Sequence, residues 1–483
     1  MKTIAILALA SSAAAFAPED IGLNNTTAGL LRGPDRKLRT KAQVQAIQDD
    51  ADVNRKCHTT NGGYLQTLKA GEYSASKFYN CFRTSEQIFE YVDALVAQNP
   101  TLLKKEKISS TVRGKSIYAY KLTSGASKPR SLYYQSLAHA REWIAGSSNL
   151  FTLSSILDDI ANKKPTAADK FNLYFVPIVN IDGYDISWNG NRYQRKNANE
   201  VDLNRNWPSF YENPNPPAPS AQTYPGPRPG SEPETKGIAR WLHTKNSELA
   251  GWVDVHSVLG AIFYPYGDTT EPIGNGDDAK FALLGRNVAA ATGGGYRWQT
   301  AGSYAPGYGA LDDYLYRTYK KPVLTIEVAG SDFVAPVSTI RTRGTEIFKA
   351  LTQFADEVLT FEGNGVGIPT PGGNGVGTAS AGGNSVETAS AGGNGVGTAS
   401  AGGNGVGIAF PGGNSVETAS AGGNGVGIAF PGGNGVGTAS AGGNGVGIAF
   451  PGGNSVETAS AGGNGVGIAS AGGNGVGIAF PKD

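Results

Sequence analysis

Apolar positions along this chain follow three regimes in turn. The clearest begins near residue 84, in "RTSEQIFEYVDALVAQNP". Ile88, Val92 and Leu95 recur at i, i+4 and i+7, Thr84 and Gln87 have the spacing of a capping box, and Asn99-Pro100 ends the run, which predicts a helix. From there to about residue 360, short apolar runs alternate with helical patterns. Strands are expected at 116–122, 131–138, 171–180, 250–256, 260–265 and 322–329. Helices are expected at 144–161, 231–246, 278–292 and 336–359, with Ser231 as the cap of the second and Glu234 three residues on. Alternation of this kind predicts one α/β domain with a largely parallel sheet covered on both faces.

Residues 363–483 follow a different rule. "GNGVGTASAG" and its variants recur every ten residues, with Asn at 364, 374 and onward to 474. Single Val, Ile and Phe residues stand between glycines, and Glu387, Glu417, Glu457, Lys482 and Asp483 are the only charges. So little apolar side chain does not offset the backbone entropy of ordering, so a disordered, low-complexity spacer is expected. A tether to a wall, matrix or polymer is the alternative role. A calcium-binding β-roll is rejected, because that motif has a nine-residue period and Asp ligands.

The N-terminal regime is short. Lys2, the apolar run Ile4 to Ala10 and the small residues Ala13-Ala14-Ala15 read as a secretory signal peptide over residues 1–15. Residues 16–72 are polar and weakly periodic, and are expected to form an irregular leader or short pro-segment before the α/β domain at 73–362. Within the leader, Arg36 to Arg39 ("RKLR") has Arg at both ends, a spacing that processing proteases accept; a solvated basic stretch is the plainer reading. Export makes Cys57 and Cys81, the only cysteines, a disulfide, closing a loop worth roughly 3 kcal/mol.

Composition adds mainly exclusions. With 41 Lys and Arg against 40 Asp and Glu the net charge is +1, which gives no reason to expect nucleic acid or an anionic membrane as partner. No later stretch is apolar for long enough to span a bilayer. A soluble, extracellular monomer is expected.

The candidate chemistry sits at strand ends. Of four histidines, His243 lies on a predicted amphipathic helix and His58 in the leader, whereas His139 and His256 each end a predicted strand. His139 and Glu142 are three apart and can both turn toward one ion. His256 must come from another strand. Catalytic zinc takes three N/O ligands and keeps one position open, and parallel strands ending at one edge could bring these three together. Alone, H-x-x-E is a weak signal. Around it stand Arg192 and Arg195 in "NGNRYQRKN", Asn204 and Arg205 in "VDLNRNW", Tyr304 and Tyr308 in "GSYAPGYGALDDY", and Glu327 inside the apolar run "PVLTIEVAG". A carboxylate there is expensive to bury without a partner.

Taken together, "HAREW", "NRYQRK", "DLNRNW", "HSVLGAIFYPYG", "YAPGYGALDD" and "LTIE" resemble, in collinear order over roughly residues 73–360, the zinc metallocarboxypeptidases of the pancreatic carboxypeptidase A/B type. The resemblance implies a mixed, mostly parallel eight-stranded sheet with helices on both faces and one zinc ion per chain. His139, Glu142 and His256 then become the zinc ligands, Glu327 the general base, and Arg195 the group that polarises the scissile carbonyl. Asn204 and Arg205 become the clamp on the substrate's terminal carboxylate, since a planar guanidinium binds a carboxylate bidentately. Tyr304 becomes the mobile tyrosine, with Tyr308 as the other register, and Arg141 and Arg192 become subsite residues. The same spacing puts Leu311 at the base of the specificity pocket, with Thr325 and Gly267 nearby, which implies apolar or aromatic C-terminal residues. Three departures stand out. The segment between Arg195 and Asn204 is short, the leader is shorter than a globular prodomain, and Val258 replaces a tyrosine. The implied activity is a secreted exopeptidase acting on peptides or proteins with a free C-terminus. The rivals are the same scaffold acting on another carboxyl-terminal amide, such as a cell-wall peptide, and a non-catalytic wall-associated binding protein.

Overall fold

The computed structural model describes residues 29–33, 37–208, 213–274 and 276–362, the pair 24–25, and strands with a few turns between 376 and 481. The signal peptide, Arg36 and the remainder of the repeats lie outside the described residues.

At the centre is an eight-stranded sheet: β1 (Leu103–Ser110), β2 (Ser116–Leu122), β3 (Ser131–Ser136), β4 (Asn172–Val176), β5 (Leu249–Val258), β6 (Ala261–Tyr264), β7 (Arg297–Thr300) and β8 (Val323–Ala329). Their order is β7-β6-β8-β5-β3-β4-β2-β1. The inner strands β8, β5, β3 and β4 run parallel, β7 is parallel to β6, and the β6–β8, β4–β2 and β2–β1 pairs are antiparallel. Every residue of β3, β4 and β5 is buried, so these strands show no apolar–polar alternation: a parallel strand covered on both faces has no solvent side.

Around the sheet lie α1 (Lys41–Thr60), α2 (Ser85–Gln98), α3 (Trp143–Ala161), α4 (Ile181–Asn189), α5 (Pro233–Thr244), α6 (Asp277–Thr292), α7 (Leu311–Tyr319) and α8 (Ile340–Glu362). The capping box on α2 forms as expected between Thr84 and Gln87. The cap of α5 is Glu232, not Ser231, with Pro233 in the first turn; Ser231 Oγ instead hydrogen-bonds the Glu232 carboxylate at 2.7 Å. Helix α8 packs against both α3 and α6. No helix among the described residues is long and apolar enough to cross a membrane.

Part of the leader is ordered rather than irregular. Helix α1 opens on a capping box between Thr40 and Gln43 and buries Val44, Ile47, Asp50, Ala51 and Asn54. The Cys57–Cys81 disulfide forms and ties its C-terminal end to the segment before α2.

The tail also departs from the spacer expectation in its described residues. Strands between Val376 and Pro481 alternate between two parallel sheets of six and five strands. Val376 pairs with Val396, Val396 with Val416 and Val416 with Val436, so one coil takes two decapeptides. Ala409, Ala419, Ala429, Ala439, Ala449 and Ala459 form a thin core between the sheets. Glycine permits the close approach: a Cβ on Gly427 would stand 2.4 Å from the Ser440 carbonyl of the facing sheet. Coil-on-coil backbone pairing supplies what the small side chains do not.

Candidate active site

The cleft opens where β3, β5 and β8 end. After β3 the chain turns sharply through Leu137, whose φ of 58° is left-handed and uncommon for a branched side chain. Gly146 on α3 makes room for it, since a Cβ there would meet the Leu137 side chain at 2.4 Å. The turn delivers His139 and Glu142 to the end of the sheet. His256 comes from β5, and the β8–β5 register sets Glu327 directly beside it.

The three expected ligands converge. His139 Nδ1 lies 2.9 Å from Glu142 Oε1, His256 Nδ1 lies 3.1 Å from Glu142 Oε2, and the two Nδ1 atoms are 3.0 Å apart. All three residues are buried, and among the described residues they form the one His/Cys/Asp/Glu group close enough to hold a metal ion. Asp202 braces the far side of His139, with Oδ1 3.0 Å from Nε2, while Asp254 Oδ2 lies 2.9 Å from His256 Nε2. Burial alone would push His256 down, but the Asp254 and Glu142 carboxylates raise it well above its ordinary value. Burial would push Glu142 up, yet His139 and His256 hold it well below the carboxylate range. The cluster draws positive charge to its centre, and two imidazoles with one carboxylate are the donor set that suits zinc.

Glu327 faces the cleft in a poorly hydrated setting, with Oε2 lacking a hydrogen-bond partner. Lost hydration and the nearby Glu142 charge push its carboxyl up to about 7, against the pull of His256 and Arg195. Arg195 lines the same cleft and donates from Nε and Nη2 to Asp202 Oδ2 at 2.9 and 2.7 Å. Asp202 therefore holds both His139 and Arg195; burial raises its carboxyl, but Arg195 and His139 bring it well below the ordinary value. Its place in "VDLNRNW" was visible in the sequence, its bracing role was not.

Asn204 and Arg205 also line the cleft. Asn204 Oδ1 accepts the Leu311 N–H at 2.9 Å, and Arg205 Nη1 donates to the Asn204 carbonyl at 2.6 Å. The glycine-bounded loop packs against Arg205: a Cβ on Gly309, at φ 70°, would lie 2.3 Å from the Arg205 carbonyl. Tyr304 is 47% exposed and lines the cleft, while Tyr308 lines a neighbouring depression.

Two expected subsite residues are placed differently. Leu311 is buried in the main core and does not line the cleft; its neighbour Asp312 does. Successive residues of a helix lie about 100° apart around its axis, so with Leu311 turned into the core at the start of α7 it is Asp312 that meets the cleft. Asp312 accepts the Thr325 hydroxyl at 3.0 Å and the Asp313 N–H at 3.0 Å. Burial raises the Asp312 carboxyl, against those hydrogen bonds. Arg192 is the second correction. It is buried outside the cleft lining, stacks 3.6 Å over the Trp143 ring, and donates to Asp50 Oδ2 at 2.7 Å and to the Arg141 and Phe333 carbonyls at 2.8 and 2.9 Å. With every guanidinium nitrogen engaged, it supports the cleft from behind. Arg141 does line the cleft, 4.2 Å over the Phe333 ring.

An α/β sheet whose strand ends gather two histidines, a glutamate ligand, a second glutamate and paired arginines in a cleft of about 350 Å³ defines a metallohydrolase site. The family profile described as zinc carboxypeptidase matches residues 88–350, more than half of the chain, and the chain belongs to that family. Among curated relatives it is 30% identical over 216 residues to carboxypeptidase A5 of Macaca fascicularis, covering 42% of this chain and 49% of that one. It is 27% identical over 298 residues to carboxypeptidase A1 of Homo sapiens, covering 58% and 71%. The chain thus spans about half to seven-tenths of the length of these relatives. Among solved structures, carboxypeptidase A from Helicoverpa armigera shares the fold with a TM-score of 0.58 at 20% identity, over 67% of this chain and 82% of that one. Thrombin activatable fibrinolysis inhibitor does so with a TM-score of 0.58 at 22% identity, over 67% and 87%.

Proposed function

We propose that this chain is a secreted, zinc-dependent exopeptidase that hydrolyses the C-terminal peptide bond of peptides or proteins, holding one zinc ion through His139, Glu142 and His256. The observation that carries the reading is the convergence of both Nδ1 atoms and the Glu142 carboxylate, with Glu327 beside His256 in register. Zinc in such a site acidifies water and polarises a carbonyl. The remaining work falls to the chain's own side chains. Glu327, poised near neutrality, takes a proton from the attacking water and passes it to the leaving amine. Arg195, locked in orientation by Asp202, places positive charge where the oxyanion develops. Arg205 and Asn204 hold the terminal carboxylate, and Tyr304 closes the cleft over it.

For the C-terminal side chain we infer a basic residue, Lys or Arg, from Asp312 in the cleft wall; the apolar or aromatic preference that Leu311 implies is the rival reading. Asp312 is an acid in the cleft wall beside Glu142 and Glu327 and is assigned no part in the hydrolysis; burial disfavours its ionised form, and a cationic side chain would offset that.

The test is a peptide set carrying free or amidated C-termini. Release of single residues from the free termini, with little or none from the amidated ones, is expected, because Arg205 is matched to a carboxylate. Internal cleavage irrespective of the terminus would overturn the reading.

A further inference from the structure

The leader does more than precede the domain. Lys37 lines the same cleft as His139, Arg141 and Phe333. Its Nζ donates to the Ser331 carbonyl at 3.0 Å. Two residues on, Arg39 donates from Nε and Nη2 to Asp332 Oδ2 at 3.1 and 2.8 Å, and this arginine is buried. Asp332 also accepts the Tyr193 hydroxyl. Behind this clasp, Ile47 of α1 packs with Tyr193, Val258 and Phe333 in a small separate core. Asp50 of α1 grips Arg192, which in turn holds the Phe333 and Arg141 carbonyls. The Cys57–Cys81 disulfide makes the far end of the helix covalent with the body. The loop at residues 331–333 thus takes its shape from the leader, and cutting the chain between Arg39 and Thr40 would leave α1 attached.

We propose that the chain from Lys37 to Cys57 is a fixed wall of the substrate cleft, and that Lys37 with Arg141 forms a cationic subsite for an acidic side chain upstream of the scissile bond. This rests on the exopeptidase reading, since Arg205, Asn204 and Asp312 are there assigned to the terminal residue and the Phe333 part of the cleft is left for residues before it. A guanidinium 4.2 Å over the Phe333 ring and a lysine on the same cleft wall suit a carboxylate-bearing side chain on an extended peptide. Because Lys37 is exposed, the subsite contributes selectivity of the size of a surface ion pair rather than the bulk of binding.

The experiment uses the full chain with its disulfide intact. Peptides ending in Arg, and a parallel set ending in Phe, carry Glu or Gln at each of the three positions before the terminal residue, and the Glu:Gln ratio of kcat/KM is measured. The wild type should favour Glu by about threefold or more at one position, mainly through KM. In Lys37→Ala the ratio should fall toward one, and in Lys37→Glu it should drop below one, with Lys preferred at that position. A ratio that neither variant changes overturns the proposal. So does a Lys37→Ala variant that is faster on every peptide alike, the behaviour of an inhibitory strap. If no peptide is trimmed at all, the exopeptidase reading fails, and the subsite is then read from equilibrium binding of the same peptides to the same variants.

Discussion

Asp50 of α1 and Arg192 of the loop behind the cleft form a buried ion pair, Nε to Oδ2 at 2.7 Å, with side chains 8% and 3% exposed. Removing one member leaves the other buried and unpaired. Asp50→Ala should therefore cost about 3–5 kcal/mol of stability in urea unfolding, whereas Asp50→Leu combined with Arg192→Met should recover much of that loss. A cost below about 1 kcal/mol in the single variant would show that α1 is not part of the domain's structure.

Asp312 carries the prediction about the terminal side chain. The wild type should cleave hippuryl-Arg faster than hippuryl-Phe, and Asp312→Leu should lower kcat/KM for the Arg substrate by about 10- to 100-fold while favouring Phe. Faster cleavage of the Phe substrate by the wild type would return the pocket to the apolar preference.

The pH profile follows from Glu327. Its carboxyl is pushed up to about 7, and a base acts only when ionised, so kcat/KM should fall as pH drops through the range below 7. A cation held by Glu142 offsets one of the charges that raise Glu327, so the acid limb of the loaded enzyme should lie somewhat below 7. A flat profile from pH 5 to 8 would remove Glu327 as the base.

Gly427 tests the tail. A side chain there would collide with the Ser440 carbonyl, 2.4 Å from the position of a Cβ. In the full chain, Gly427→Val should make the repeats more open to limited proteolysis while hydrolysis of small peptides is unchanged. Equal protease resistance in both chains would contradict the coiled arrangement.

Much of the site is legible in the sequence because its residues break the pattern around them. Glu327 interrupts an apolar strand, and His139 and His256 stand at the ends of runs buried on both faces, so each is conspicuous from the order of residues alone. The sheet is legible from short apolar runs such as Leu132 to Tyr134 in β3 and Trp252-Val253 in β5, which sit inside strands buried on both faces. What escapes depends on long-range contacts or on single-residue register. Arg192 reads as one of a pair of loop arginines until α1 brings Asp50 to it from 142 residues away. Asp312 rather than Leu311 meets the cleft because the rotation of the start of α7, a matter of one residue of register, decides which of two neighbours faces it. Helix α1 has only a thin apolar stripe of Val44, Ile47 and Ala51, too sparse to announce a helix without the surface it covers. The repeat strands hydrogen-bond across twenty residues of sequence, whereas composition reports only their glycine content.

Glu327→Gln, assayed beside the wild type for both zinc content and C-terminal trimming, tests the central claim most directly. Both proteins should hold about one zinc per chain, because His139, Glu142 and His256 are untouched. The wild type should trim and lose that activity to phenanthroline, while the variant should be slower by about 10²- to 10⁴-fold. Full activity in Glu327→Gln, or a trimming wild type that holds no zinc, would contradict the account.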